Sequence, residues 1–310
     1  MATSGGTGGV LTALSDELAA AVDKGSQAVV SVDARRQRPA SGIIWPSGSG
    51  IVVTADHVIE REEDITVTLA SGQKVPAAIA GRDPGTDVAV LRLALSSGAA
   101  PALAELAPPD SVKIGHLVLA LGRPGGAPMA SFGIVSALGG SWRTERGGIV
   151  EGYVRADVTL YPGFSGGPLV DTQGRVVGLN SWYLARGQEL AIPSQAVGTI
   201  VQTLLTQGRV RRGYLGVTSQ PVQLPAALRQ SLGLTQKTGL MIVGVEPGSP
   251  AEKGGLLLGD VLISVAGQPV SDAEALQAAL GPGAVGKATT IGVIRGGERK
   301  DLGVTPGERG

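Results

Sequence analysis

Between Ala28 and Leu184 the apolar residues come only in short runs. GIIW, GIVVTA, VAVLRL, HLVLALG, FGIVSAL, YVRADVTL, PLVD and RVVGLNSWYL follow one another at intervals of roughly ten to twenty residues, with turn-forming residues between them. Runs of this length are the size of β-strands, and helical periodicity between them is scarce. The chain is therefore constrained toward a mainly antiparallel β architecture rather than alternating βαβ units. DITVTL, Asp64 to Leu69, places Ile65, Val67 and Leu69 on one face and Thr66 and Thr68 on the other. SGQK then turns the chain into VPAAIAG, which predicts a half-buried hairpin. The 49 glycines and 19 prolines among 310 residues show no collagen-like period and fit a folded chain with many tight turns.

Leu11, Leu14, Leu18 and Val22 recur at helical spacing and predict a short amphipathic helix over Leu11 to Asp23, after a glycine-rich tail. The β pattern ends at AIPSQAVGTIVQTLLTQG. There Ser194 is placed to cap a helix with Val197, Ile200, Val201, Leu204 and Leu205 on its apolar face, and Gly208 sits where a C-terminal glycine belongs. RVRRG, Arg209 to Gly213, reads as a solvated linker. Beyond it, the runs YLGV, GLMIVGV, VLISVAG and TTIGVIR alternate with two helices announced by capping boxes, SPAE (Ser249 to Glu252) and SDAE (Ser271 to Glu274). This divides the chain into a tail and helix (1–27), a large β domain (28–208), a linker (209–213) and a smaller unit of strands and two helices (214–306).

Composition narrows the chemistry. Lysine plus arginine equal aspartate plus glutamate at 26 each, so no overall field favours nucleic acid or an anionic membrane. With no cysteine and two histidines there is no thiolate site and little for a zinc cluster, and a mechanism without metal or cofactor is the economical expectation. The start of the chain has no basic n-region and no long apolar core, and no apolar run approaches bilayer-spanning length. The expectation is a chain with no membrane span, its compartment open between the cytoplasm and an already processed periplasmic form.

GFSGGPLV, Gly163 to Val170, sets one serine among three glycines, a setting that can present a hydroxyl and bare N–H groups to an incoming atom; a glycine-rich hairpin loop is the plain alternative. A serine nucleophile requires a base, which only His57 and His116 can supply. Gly163, Ser165 and Gly167 match the GxSxG elbow of α/β-hydrolases, but both histidines precede Ser165, which excludes that order of residues. His57 ends an apolar strand in VVTADHVIE, where an imidazole can face a cleft, whereas His116 reads as a strand residue on a polar or packed face. Of the aspartates between His57 and Ser165, namely Asp64, Asp83, Asp87, Asp110 and Asp157, Asp87 stands directly before VAVLRL, so its carboxylate can be drawn into the core beside the imidazole.

TADHVIE, DPGTDVAVLRL and PGFSGGPLV resemble, in order, the histidine, aspartate and serine blocks of the HtrA (Deg) family of trypsin-like serine proteases. ALGRPGG and SFGIVSALGG are similar to that family's connecting segment, and the C-terminal unit resembles its PDZ domain, so the likeness runs from about residue 28 to about 305. The resemblance implies a chymotrypsin/trypsin-like double β-barrel followed by a small α+β PDZ domain. It implies Ser165 as nucleophile, His57 as general base and then acid, and Asp87 as the group that fixes the imidazole tautomer. Backbone N–H groups of Gly163 and Ser165 would converge on the oxyanion, worth roughly 3 kcal/mol per donor. The strand after the serine would wall the primary pocket, making Asn180, Ser181, Trp182, Tyr183 and Leu184 candidates, with plain strand packing as the other reading; lacking an acidic residue in that stretch, the pocket is expected to favour small or aliphatic side chains. Tyr214, Leu215, Gly216 and Val217 would form the carboxylate-binding loop of the PDZ domain, taking hydrophobic C-terminal peptides.

Two positions depart from the family. Phe164 replaces its usual asparagine before the serine, which puts the resting geometry or substrate fit of the oxyanion loop in question, and Leu258 replaces a proline, which should affect turn stiffness alone. The expected activity is ATP-independent endoproteolysis of unfolded or misfolded polypeptides, with homotrimer assembly inherited from the resemblance. Glycines at Gly125, Gly139, Gly147 and Gly187 mark loops that could gate it. The alternative is a catalytically silent protease-like scaffold or holdase acting through its PDZ domain.

Overall fold

The computed structural model describes residues 7–95, 100–144, 148–185, 188–210 and 213–308; Gly147, Gly187 and residues 211 and 212 of the expected linker lie outside the described residues. The chain divides into two compact units, Met1–Val210 and Arg211–Gly310.

The first unit opens with helix α1 (Thr7–Ser26) and then forms two closed barrels. β1 (Val29–Asp33), β2 (Ala40–Ile44), β3 (Ile51–Ala55), β4 (Ile65–Thr68), β5 (Lys74–Asp83) and β6 (Val88–Leu93) close in the order β1-β2-β3-β6-β5-β4, every pair antiparallel. β7 (Leu117–Gly122) and β8 (Met129–Gly139) follow, then the small hairpin β9 (Trp142–Arg143) and β10 (Ile149–Val150). β11 (Tyr153–Ala156), β12 (Pro168–Asp171), β13 (Val176–Ala185) and β14 (Gln188–Pro193) complete a second barrel ordered β11-β14-β13-β12-β7-β8.

Period-two alternation explains why several strands read as unbroken apolar runs rather than as alternating ones. In β6, Ala89 and Leu91 enter the core of the first barrel while Val88 and Val90 enter a different core. In β7, Val118 and Ala120 fill the second barrel while Leu119 and Leu121 point out of it, and β12 divides likewise between Leu169 and Val170. The outward residues of both barrels meet in one shared core with Trp45, Leu179 and Ile192. Strands buried on both faces cannot spare a polar side. β4 has one covered face and alternates buried Ile65 and Val67 with half-buried threonines, as the sequence pattern predicts.

Helix α2 (Ser194–Gln207) seals the shared core with Val197, Val201 and Leu204. Ser194 is its first helical residue rather than its cap: strand β14 ends at Pro193, which occupies the cap position without a side-chain hydrogen bond. Gly208 ends the helix at φ 73°, its N–H donating to the Leu204 carbonyl, a left-handed stop that suits glycine. α1 is longer than its apolar spacing indicates. Residues 7–10 of the expected tail are helical and the helix runs on to Ser26, while Leu18, Ala21 and Val22 of its second half pack against the shared core. Truncating the fully buried Leu204 to alanine should cost about 2–5 kcal/mol, read as a lowered urea midpoint by circular dichroism.

The second unit contains β15 (Gly213–Tyr214), β16 (Val217–Gln223), helix α3 (Ala226–Ser231), β17 (Thr238–Val245), α4 (Pro250–Lys253), β18 (Val261–Val265), β19 (Gln268–Pro269), α5 (Ala273–Ala279), β20 (Thr289–Arg295), β21 (Glu298–Val304) and β22 (Gly307–Glu308). Its main sheet runs β16-β17-β18-β20-β21 over a core that includes Leu240, Ile242, Leu262, Ile291 and Val293. α4 is capped as its sequence predicts: Ser249 Oγ accepts the Glu252 N–H at 3.2 Å, and the Glu252 carboxylate accepts the Gly248 N–H at 2.7 Å. α5 is capped one residue later than expected. Asp272 Oδ1 accepts the Ala275 N–H and Ser271 donates to Asp272, because a carboxylate suits the positive helix N-terminus better than a hydroxyl.

Burial alone would push the Asp260 carboxyl up, but the Arg295 guanidinium at 2.7 Å and the Leu257 N–H at 2.8 Å outweigh it and hold it below the usual carboxylate value. A carboxyl lowered in the folded state adds stability above its unfolded pKa of about 3.9, and that contribution disappears as pH falls through the folded value. Unfolding of this unit should therefore become easier below about pH 4, and Asp260→Asn should destabilise it at pH 7 and flatten that acid dependence in melts taken from pH 2 to 7.

Candidate active site

Strand β3 ends in a short 3-10 turn, Asp56–Val58, that carries His57 to the rim of the first barrel. Asp87 stands at the start of β6, beside β3 in the sheet, in the left-handed region at φ 58°, a conformation that aspartate tolerates better than most side chains. The preceding turn is held by Asp83, buried, whose carboxylate takes the Thr86 hydroxyl at 2.6 Å and the Gly85 N–H at 3.1 Å.

The Asp87 side chain is 3% exposed and is surrounded by donors. It accepts the His57 backbone N–H at 2.9 Å, His57 Nδ1 at 2.8–2.9 Å, and the Ser181 hydroxyl at 2.5 Å. An ionised carboxylate only accepts, so opposite an ionised Asp87 the facing Nδ1 carries the proton and Nε2 keeps its lone pair. Asp56, next to His57, is buried too; its carboxylate takes Arg82 Nε at 2.7 Å and anchors the turn from behind. Among the other aspartates, Asp64 and Asp110 are exposed turn residues at φ 53° and 56°, and Asp157 is exposed. His116 is exposed, its Nδ1 accepting the Lys113 N–H.

Ser165, 8% exposed, comes from the loop before β12 of the second barrel. Its Oγ takes the Trp182 N–H at 3.4 Å, and among the described residues no hydrogen bond closes it onto His57. The next residue, Tyr183, stacks on the His57 ring with centroids 5.3 Å apart at 22°. β13 thus touches all three groups: Ser181 holds Asp87, Trp182 reaches Ser165, and Tyr183 lies against His57.

The serine loop is closely tied. Phe164 N–H donates to Tyr161 O, Gly166 N–H to Asn180 O and Gly167 N–H to Phe164 O, each at 2.9 Å. Among the described residues no protein acceptor takes the N–H of Gly163 or Ser165, the two expected oxyanion donors. Gly163 has φ 93°, and a Cβ there would meet Pro124 at 2.4 Å, so the position admits glycine alone.

Phe164 points away from the cleft. It is fully buried in the second barrel's core, edge-on to Tyr161, and packs so closely over Gly122 that a Cβ on Gly122 would lie 2.5 Å from its ring. A direct effect of this side chain on substrate fit is thereby replaced by a packing role beneath the loop. Leu258 is 72% exposed in the turn before Gly259, consistent with a purely local effect.

Of the five expected pocket residues, Trp182 and Tyr183 are exposed, while Asn180, Ser181 and Leu184 are buried, Leu184 in the shared core. Strand alternation turns Ser181 toward Asp87, a contact that residue type alone does not signal. A cavity of about 620 Å³ beside Trp182 is lined also by Ile134 and Ser136 and by the charged Arg155, Asp157 and Glu189, all contributed by segments outside 180–184.

In the second unit, Tyr214 pairs in β15 and its hydroxyl meets Glu246, Leu215 is buried in the core, Gly216 has φ 81° and Val217 begins β16. Among the described residues no protein acceptor takes the N–H of Leu215 or Gly216, and β16 is an edge strand of the sheet, paired along one side by β17.

The fold and this constellation define a trypsin-like protease domain followed by a smaller sheet-and-helix unit, and comparison with known proteins agrees. Residues 40–179 match the trypsin-like peptidase domain family and residues 241–295 the PDZ domain family. A probable periplasmic serine endoprotease, DegP-like, of Halomonas elongata is 35% identical over 279 residues, covering 88% of this chain and 57% of its own length. A probable periplasmic serine protease, do/HhoA-like, of Haemophilus influenzae is 33% identical over 270 residues, with 84% and 56% covered. The chain thus spans somewhat over half the length of the curated relatives it matches. Among solved structures, an HtrA-type protease AlgW with tripeptide is 31% identical with a TM-score of 0.70, covering 94% of this chain and 97% of its own. A serine endoprotease from Yersinia pestis superposes with a TM-score of 0.73 at 27% identity, with 94% and 98% covered. The chain belongs to the HtrA family of trypsin-like, PDZ-bearing serine proteases, the family its three sequence blocks resemble.

Removing the Ser181 hydroxyl should loosen Asp87 without opening a large cavity. Ser181→Ala is expected to lower kcat about tenfold on a peptide substrate while leaving KM within about twofold, the pattern of a lost orienting contact.

Proposed function

We propose that this chain is an ATP-independent serine endopeptidase that cleaves unfolded or misfolded polypeptides through an acyl-enzyme. The observation that carries this reading is the buried Asp87 carboxylate, which accepts His57 Nδ1, together with β13, which touches Ser165 through Trp182 and the His57 ring through Tyr183. His57 Nε2 takes the Ser165 proton as Oγ attacks the scissile carbonyl, then delivers it to the leaving amine. Asp87 stabilises the imidazolium in between without itself being protonated. The oxyanion develops against the two amides of Gly163 and Ser165, which have no protein acceptor to give up. Trp182 and Tyr183 face the substrate.

The PDZ unit recruits or senses hydrophobic C-terminal peptides. The peptide carboxylate sits on the free amides of Leu215 and Gly216, between Tyr214 and Val217, while its backbone extends the sheet at β16. We place the protein in the periplasm, as the names of its relatives state for them, and take it to assemble as a homotrimer. No helix among the described residues is long and apolar enough to cross a membrane.

Wild type should degrade casein and Ser165→Ala should not, and a fluorophosphonate should label wild type at Ser165 alone. Equal degradation by both proteins, or labelling at another serine, would refute the assignment; a Ser165→Ala protein that suppresses aggregation while wild type never cleaves would instead support a holdase.

A further inference from the structure

Ser41 lies fully buried in β2 of the first barrel, yet its polar atoms serve the serine loop of the second. Its hydroxyl donates to the Gly163 carbonyl at 2.6 Å and accepts the Arg123 N–H at 2.8 Å, and its own N–H donates to the Ser165 carbonyl at 3.3 Å. These bonds grip the loop on both sides of Phe164. Together with the Phe164, Gly166 and Gly167 amide bonds they fix the carbonyls of Gly163, Phe164 and Ser165. Because each peptide unit is planar, fixing a carbonyl also fixes the N–H on the other side of its bond. The Phe164 carbonyl shares its peptide plane with the Ser165 N–H, and Ser41 holds the units before and after it.

The second half of the arrangement is Arg123, at the end of β7. Its guanidinium is buried and donates to three backbone carbonyls: Val29 at 2.8 Å, Gly126 at 2.8 Å and Ser26 at 3.0 Å. Among the described residues no carboxylate pairs with it. A buried cation satisfied wholly by carbonyls is held rigidly, since a shift of any one of them leaves charge uncompensated. Ser26 is the last residue of α1, so the helix end, the end of β7 and the serine loop form one connected set of hydrogen bonds that passes through the Ser41 hydroxyl.

We propose that Ser41 is a positioning residue for the Ser165 oxyanion donor, and that Arg123 fixes Ser41's acceptor side by tying β7 to the end of α1. The inference rests on the endopeptidase reading above. Ser41 touches neither substrate nor reacting atoms; it acts by holding the peptide units on either side of the one that carries the Ser165 N–H, so that this amide keeps the direction where negative charge develops, and its loss should weaken the transition state more than the bound substrate.

The test compares wild type, Ser41→Ala and Ser41→Cys in steady-state hydrolysis of a chromogenic peptide and in binding of a peptide aldehyde, whose Ser165 adduct carries a tetrahedral oxygen. Leu204→Ala, remote from the loop, serves as a destabilised control. Ser41→Ala is expected to lower kcat by about 10–100-fold with KM within about threefold, and to weaken the aldehyde in parallel. Ser41→Cys, nearly isosteric but a weaker donor, should fall between and remains informative if the alanine variant does not fold. A Ser41→Ala kcat within twofold of wild type, a loss confined to KM, or an equal kcat loss in Leu204→Ala would overturn the proposal. Wild type without Ser165-dependent turnover would overturn the endopeptidase reading together with it, whereas wild-type turnover that survives Ser41→Ala unchanged would overturn this inference alone.

Discussion

The structure of the first unit depends on a core that belongs to neither barrel. Strands β1, β2, β3 and β6 on one side and β7, β12 and β13 on the other bury a second face against each other, with α1 and α2 closing the ends. Each aliphatic side chain removed from water there contributes about 1.5–3 kcal/mol, so a shift of one barrel against the other is opposed by many contacts at once. The cleft is the rim of that shared core. His57 and Asp87 arrive from the first barrel, Ser165 and Ser181 from the second, and the rigidity of the interface becomes the precision of the site.

Within the cleft, polar groups rather than apolar ones set the geometry. Asp87 is nearly inaccessible, and a buried carboxylate is tolerable only when its oxygens are occupied. Two of its three donors come from His57 and the third from Ser181, so the charge is compensated in the same act that orients the imidazole. The serine loop shows the reverse pattern: the carbonyls of Gly163, Phe164 and Ser165 are occupied, while among the described residues the amides of Gly163 and Ser165 have no protein acceptor.

Much of this was legible from local pattern. Strand runs, the DITVTL hairpin, the Gly208 stop and the Ser249 cap all follow from spacing and from single-residue conformational preference, and the structure reproduces them. The differences have local causes. Pro193 displaces Ser194 from the cap of α2, Asp272 outcompetes Ser271 at α5, and α1 extends past its apolar spacing at both ends, with its second half packed on the shared core. Phe164, conspicuous beside the serine, proves to be a core residue, because the loop turns that side chain inward over Gly122.

The blocks around His57, Asp87 and Ser165 in their order, the connecting segment and the PDZ-like C-terminal unit are properties of the chain as written, and together they point to the family. Chain order cannot say which distant hydroxyl meets a buried carboxylate or a loop carbonyl. Ser181 and Ser41 are ordinary strand serines in sequence, separated by 94 residues from Asp87 and by 122 from Gly163 respectively. Only the packing of two barrels against each other brings them within hydrogen-bond distance, because such a contact depends on the relative placement of sheets and not on any preference the residue carries by itself.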